Sequence, residues 1–301
     1  MPDAALDALV PPADPRSSWE LPGVGDMPVV AELDEAVARV LAPNPSPMTL
    51  DGTNTYVVGV PGGGEVVVVD PGPDDPEHLT RVRRCVASRD AAVRAILVTH
   101  HHVDHAEAAR AWAAGFGCTV VASTREVAGA DGTVVGDGDR IPLAGIGIEV
   151  VATPGHTGDH VAFRLESGAL LTGDHVLGRG TSVVAHPDGD LVAYLDSLRR
   201  VLDLGPDVLY PGHGPELTRD PSAVLRYYHE HRRFRERQIL AVLAAGPATP
   251  RQLVARIYAD VDRRLWDAAE ASTRAALVAL AADGRIRHAA DDRAHLVAPQ
   301  A

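Results

Sequence analysis

Short apolar runs rich in β-branched residues recur along the chain, at 55–60, 65–70, 93–99, 119–122, 147–152, 161–165 and 208–210. Bounded by Gly, Pro and Asp, they predict strands. Between them, residues 78–88, 106–116 and 191–202 read as helices. Residues 29–40 fit either a strand or a helix. Strands interleaved with helices permit two mixed sheets with helices outside, a four-layer αββα arrangement, alongside other α/β answers. Gly62-Gly63-Gly64 lies between two strand runs and opens no helix, so it fits a hairpin loop rather than a dinucleotide-binding turn.

From residue 221 the pattern turns helical. One long helix is predicted over 221–243, a second begins near Thr249-Pro250, and a third covers 265–282 before Asp283-Gly284. Residues 286–288 and 295–297 then flank Asp291-Asp292 like a small hairpin, which completes a winged-helix-like unit. The chain thus divides into a flexible N-terminal tail at 1–27, a main region at 28–219 and a helical, winged-helix-like domain at 220–301. Winged helices often bind DNA, so a DNA-binding regulator is one reading. However, residues 238–301 are almost charge-balanced, and the third helix carries only Arg274 beside Asp267 and Glu270. A reading helix needs side chains for bases and phosphates, so packing or substrate gating is favoured.

Composition adds bounds. The 301 residues can bury a large core, and 46% of them are hydrophobic. No apolar run approaches the roughly 20 residues of a membrane helix. No basic segment leads an apolar core at the N-terminus, so a cytoplasmic protein without a secretory signal is expected. Cys85 and Cys118 read as reduced interior thiols, with one disulfide left open by sequence. Lysine is absent, and the formal charge is −13. His229 and His231 beside Arg232, Arg233, Arg235 and Arg237 make a solvated helix face, or a clamp for an anionic substrate if those arginines face the ligand cleft.

Candidate chemistry concentrates in Thr99-His100-His101-His102-Val103-Asp104-His105, directly after a strand run. Side-chain alternation lets His100, His102 and Asp104 point one way, with His101 away from them and His105 at the turn into a helix. Imidazole plus carboxylate is a ligand set for zinc or a similar first-row ion. His156, Asp174 and His213 each follow an apolar run, and each has a glycine immediately before it. That suits a tight strand-end turn where backbone and metal approach closely.

In this order the motifs resemble those of the metallo-beta-lactamase superfamily: Asp70 matches the first, the histidine-rich stretch the second, and His156, Asp174 and His213 the third to fifth. Asp51-Gly52-Thr53-Asn54-Thr55-Tyr56, Thr153-Pro154-Gly155-His156-Thr157-Gly158-Asp159-His160 and Tyr210-Pro211-Gly212-His213-Gly214-Pro215 are similar to the beta-lactamase-like protein 2 family. The likeness runs from about Pro43 to the C-terminus. It implies a four-layer αββα metallo-beta-lactamase sandwich followed by the small winged-helix-like domain. It also implies a dinuclear zinc hydrolase with a metal-bound hydroxide as nucleophile. On this resemblance His100, His102 and His156 hold one zinc, Asp104, His105 and His213 hold the other, and Asp174 bridges them. Manganese or iron are alternatives. Asp70 is implied to orient a ligand histidine. Asn54, Thr157, His160 and His175 are candidates for substrate contact or for support behind the ligands.

The bridging Asp174 further implies thioesterase, lactonase or nuclease chemistry in place of antibiotic hydrolysis. The subfamily likeness leans toward single-stranded RNA. The acidic balance and an aromatic content of 4% argue against it, since phosphate neutralisation and base stacking drive such binding. The alternative is a small acyl thioester or ester, turned over by a thioesterase or a hydroxyacylglutathione hydrolase-like enzyme. Oligomeric state is not legible.

Overall fold

In the computed structural model, which describes residues 4–143, 145–289 and 291–297, a one-turn helix, α1 (Ala4–Asp7), precedes a seven-stranded mixed sheet. Its strands follow chain order: β1 (Val30–Glu32), β2 (Val37–Leu41), β3 (Asn54–Val58), β4 (Glu65–Val69), β5 (Ala92–Leu97), β6 (Thr119–Ala122) and β7 (Thr133–Val134). The first four pair antiparallel, and β4 to β7 pair in parallel. Helices α2 (Pro76–Ser88), α3 (Val103–Ala106), α4 (Ala109–Phe116) and α5 (Arg125–Ala128) lie in the parallel connections.

The second sheet contains β8 (Arg140–Leu143), β9 (Ile146–Ala152), β10 (Val161–Leu165), β11 (Ala169–Gly173) and β12 (Val208–Pro211), in that spatial order. Helix α6 (Leu191–Leu204) joins β11 to its parallel neighbour β12. Helices α7 (Pro221–Ala244), α8 (Pro250–Ile257) and α9 (Trp266–Ala282) follow, then a hairpin of β13 (Ile286–His288) and β14 (Ala294–Leu296).

The valine run of β4 shows why the layers stack. Val66 and Val68 face Val82 of α2 and Trp112 of α4, while Val67 and Val69 face Val150, Phe163 and Leu171 between the sheets. A strand buried on both faces reads as a continuous apolar run because each parity meets its own layer. A third cluster lies outside the second sheet, where Leu170 and Leu209 meet Tyr194 and Leu198 of α6 and Tyr228 of α7. These three clusters fill the gaps of the αββα sandwich.

Several elements depart from the periodicity. Residues 29–40 resolve as the β1–β2 hairpin, because β2 is buried along its whole length and pairs with β3. Strands β7, β8 and β11 fall outside the predicted strand runs. The helix expected at 106–116 is divided between α3 and α4. The segment expected as a mobile tail makes specific contacts instead. Arg16 is buried, donates to the Leu177 carbonyl at 2.9 Å, and pairs with Asp14 at 2.7 Å. A single long-range arginine anchor has no periodic signature, which is why pattern reading misses it. Cys85 and Cys118 form no disulfide. No helix among the described residues is long and apolar enough to cross a membrane.

The outer core continues without a break from Leu209 and Tyr228 to Leu253 of α8 and Leu277 and Leu280 of α9. The C-terminal helices are therefore expected to unfold with the sandwich. We expect Leu253→Ala, which empties a fully buried site, to cost about 2–5 kcal/mol and to lower one shared melting transition followed by circular dichroism and tryptophan fluorescence. Two separated transitions in the wild type would contradict the shared core.

Candidate metal centre

The site forms where the ends of strands from both sheets meet. Asp70 follows β4 in a left-handed conformation, φ 50°. Its buried carboxylate accepts from the Thr99 amide, the Thr99 hydroxyl and His105 Nδ1, each at 2.8 Å. These bonds pin the chain as it leaves β5. His102 stands at the N-cap of α3, whose first turn presents Asp104 and His105. From the second sheet, His156 follows β9, Asp174 follows β11 and His213 follows β12.

Two groups result. His100, His102, His156 and Asp174 form one, and Asp104, His105 and His213 the other; within each, one nitrogen or oxygen per residue lies within 4.8 Å of the rest. Asp174 reaches both: Oδ1 is 3.4 Å from His105 Nε2 and from His213 Nε2, and Oδ2 is 3.6 Å from His156 Nε2. Asp104 Oδ2 is 3.2 Å from His213 Nε2. His101 is exposed and turns to Asp159, 2.9 Å away.

Backbone carbonyls decide which nitrogens face inward. His156 Nδ1–H donates to Val183 O at 2.5 Å, and His213 Nδ1–H to Gly52 O at 3.1 Å. With His105 Nδ1 on Asp70, the Nε2 atoms of all three rings are left bare. His105 Nε2 and His213 Nε2 then stand 3.2 Å apart, and His156 Nε2 is 3.1 Å from His102 Nδ1. Asp174 Oδ1 is buried without a hydrogen-bond partner. Lone pairs facing one another beside an unpartnered carboxylate oxygen fit a bound cation.

The electrostatics agree. Burial pushes His100 well below the ordinary imidazole range, and neighbouring His105 and His156 add to this. Burial opposes a proton on His105 as well, yet Asp174 and Asp70 hold it well above that range. Asp174 is raised by burial but brought well below the usual carboxylate range by His213 and His105. The field at the second group therefore calls for positive charge, as a proton or as a metal.

The four supporting candidates are all buried. Asn54 Nδ2 donates to the carbonyls of Pro211 and Gly214, both at 2.8 Å, and so braces the His213 loop. Thr157 donates to Asp159, the partner of His101. His160 Nδ1 meets Thr153 Oγ1 at 2.8 Å, and its Nε2 accepts the Asp174 amide at 3.2 Å. His175 lies against the Tyr194 ring, and burial pushes it down to about 3. Sequence reading missed Val183, Gly52 and Ser182, whose hydroxyl donates to the Asp174 carbonyl at 2.5 Å. Two of these act through backbone carbonyls, which every residue has, so no side-chain signal marks them.

The glycines before Asp174 and His213 have a steric reason. A Cβ on Gly212 would stand 2.7 Å from Asp174 Oδ1 and from His105 Cε1. Gly173 has φ 47°, and a Cβ there would lie 2.6 Å from Thr99 Oγ1.

This fold recurs in known proteins. The metallo-beta-lactamase superfamily model matches residues 48–213, and the beta-lactamase associated winged helix domain matches residues 249–294. The chain belongs to the metallo-beta-lactamase superfamily and is one of its hydrolases. Within that class it is similar to the beta-lactamase-like protein 2 homolog of Drosophila melanogaster, 33% identical over 292 residues, covering 91% of this chain and 98% of that protein. An atrochrysone carboxyl ACP thioesterase of Aspergillus chevalieri is 36% identical over 218 residues, covering 72% of this chain and 68% of that protein. The crystal structure of a metallo-beta-lactamase family protein from Thermus thermophilus superposes with a TM-score of 0.75 at 25% identity, covering 88% of this chain and all of that one.

Two outcomes follow from this geometry. Gly212→Ala should displace Asp174 or His105 and lower metal content at least about tenfold at limiting metal, the scale expected when a ligand is misplaced; elemental analysis with unchanged circular dichroism would show it, and full occupancy would refute it. The second concerns His78, whose Nε2 meets Thr55 Oγ1 at 2.8 Å while Thr55 donates to the Asp70 carbonyl. Burial lowers His78 to about 4. Its neutral form is favoured by folding, so its stabilisation is full above about pH 6.5 and declines as pH falls toward 4, by about 1.4 kcal/mol per pH unit. Urea melts across that window should be less acid-sensitive in His78→Gln, and equal slopes would exclude this linkage.

Proposed function

We propose that this chain is a dinuclear metal-dependent hydrolase acting on small acyl thioesters. The position of Asp174, within 3.4–3.6 Å of histidines from both groups, carries the dinuclear reading. His100, His102 and His156 would hold one ion and Asp104, His105 and His213 the other, with Asp174 shared. Zinc suits this nitrogen and oxygen set, with manganese or iron as alternatives. When bound, the pair supplies a water acidified to neutral pH and a positive field for charge developing on the carbonyl oxygen.

The chain's own groups prepare that site. Asp70, Val183 O and Gly52 O fix three imidazole tautomers. His160 and Ser182 hold the Asp174 backbone from either side of its peptide. Asp174, kept ionised by His213 and His105, offsets the mutual repulsion of two cations. A thioester substrate is favoured by the thioesterase of Aspergillus chevalieri, which matches this chain over 218 residues. Single-stranded RNA, the substrate implied by subfamily resemblance, is opposed by the formal charge of −13.

A parallel assay tests this. The zinc-loaded protein and Asp174→Ala are given a panel of acyl thioesters and a labelled single-stranded RNA at equal salt. We expect thioester turnover that falls by about a hundred- to a thousandfold in Asp174→Ala, the scale for losing a stabiliser of developing charge, here a cation that Asp174 would help to hold, and that a chelator abolishes. RNA cleavage lost with Asp174, without thioester turnover, would overturn the thioesterase reading in favour of a nuclease.

A further inference from the structure

A cavity of about 330 Å³ lies beside the candidate centre, between the sandwich and the C-terminal helices. Two of its walls belong to the loops that set the ligand rings. Ser182 and Val183 line it, and these same residues bind the Asp174 carbonyl and His156 Nδ1. Leu50 lines it too, from the loop whose Gly52 carbonyl receives His213 Nδ1–H. Tyr258, Leu265 and Ala269 add apolar surface, and α7 contributes Arg232 and Arg235.

Those two arginines are unusual in this chain. Around them, Arg233 pairs with Glu236, Arg16 with Asp14 and Arg179 with Asp51. Among the described residues, Arg232 and Arg235 have no carboxylate within 4.0 Å, and the Nε of each is buried without a hydrogen-bond partner. Arg232 is itself buried, with its guanidinium 5.1 Å from the Tyr194 ring centroid and one arm on the Ser182 carbonyl. The Arg235 guanidinium lies 4.3 Å from the centroid of Tyr258. Aromatic faces compensate a desolvated cation only in part, and a buried charge without a counter-charge, as at Arg232, is costly; Arg235 is half-buried, with one arm on Gln238 Oε1 at 2.9 Å. The exposed-face reading of this patch holds for Arg233 and Arg237 and fails for Arg232.

We propose that this cavity binds the part of the substrate that joins an apolar chain to an anionic group, the anion resting on Arg235 and Arg232 and the chain on Leu50, Tyr258 and Leu265. The proposal rests on the thioesterase reading for the identity of the substrate, and on the cavity alone for the chemistry of its occupant. The anion has two possible sources, a carboxylate at the far end of the acyl chain or a phosphate on the thiol carrier.

Three thioesters separate these sources: hexanoyl and adipoyl N-acetylcysteamine, which differ only in an acyl carboxylate, and hexanoyl coenzyme A, which adds phosphates on the leaving side. In the zinc-loaded wild type we expect one anionic substrate to be preferred over hexanoyl N-acetylcysteamine by about tenfold in kcat/KM, mainly through KM, as for one charge-assisted contact. Arg235→Gln should erase the preference, and Arg235→Lys should restore part of it. Preference for the adipoyl substrate assigns the anion to the acyl chain, and preference for the coenzyme A substrate assigns it to the carrier. No preference, or one that survives Arg235→Gln, overturns the proposal.

If no thioester turns over, the functional reading fails, and the cavity is tested by binding. Octanoate should raise the melting temperature of the wild type and leave Arg235→Gln unmoved, whereas octanol should shift neither. An octanoate shift equal in both proteins, or absent in the wild type, sinks the cavity assignment independently.

Discussion

Imidazole lone pairs forced to face one another are the constraint on which this molecule turns. His105 and His213 have each committed Nδ1–H to a fixed acceptor, so their Nε2 atoms meet 3.2 Å apart and need a proton or a metal between them. Charge interactions inside a protein are screened far less than in water. Two neutral rings in this pose repel, two protonated rings repel more, and only a positive charge between them resolves the conflict. Asp104 and Asp174, both held below the usual carboxylate range, supply the balancing negative field. The folded chain therefore specifies a cation before any is added.

Holding such a conflict requires a rigid frame, and the two-sheet sandwich provides it. One group of side chains leaves the end of β5, and the others leave β9, β11 and β12, so neither sheet alone completes the centre. A bridge between Thr53 and His213 ties the first sheet to the loop after β12. Asp70 sits at the root of this arrangement. Its three donors join the exit of β4, the exit of β5 and the first turn of α3 into one unit. Beneath it, the His78–Thr55 pair anchors the carbonyl of the same residue. Orientation is thus set one layer behind the rings, where substitution would act on pose rather than on ligand count.

Much of this was legible locally. The histidine-rich stretch, the valine run of β4 and the glycine before each downstream ligand announce themselves within a few neighbouring residues. Alternation separates His100 and His102 from His101, and the structure turns His101 outward to Asp159. The illegible parts share a different cause, since each depends on partners distant in sequence. The β2 strand is identified by β3, Arg16 by a carbonyl 161 positions away, and Arg232 by Ser182 and Tyr194. Asn54, Thr157 and His160 were legible as members of motifs, but their work as braces emerges only from whom they contact. Side-chain identity reveals chemistry; long-range contact reveals duty.

The C-terminal unit illustrates how little a fold alone says about purpose. Residues 249–294, which hold α8, α9 and β13, match a winged helix, a shape often used to read DNA. A helix entering a groove needs cations available for phosphates and bases. Arg274, the sole arginine of α9, is bound by Glu270 at 2.9 Å and by Asp292 at 2.8 Å, so its charge is already matched. Arg251 at the start of α8 is likewise taken by Asp267. Two arginines of α7, Arg232 and Arg235, instead line the cavity beside the candidate metal centre. The arginines of α9 and of the start of α8 are thus bound by carboxylates of their own unit, while two of α7 are committed to the cavity wall.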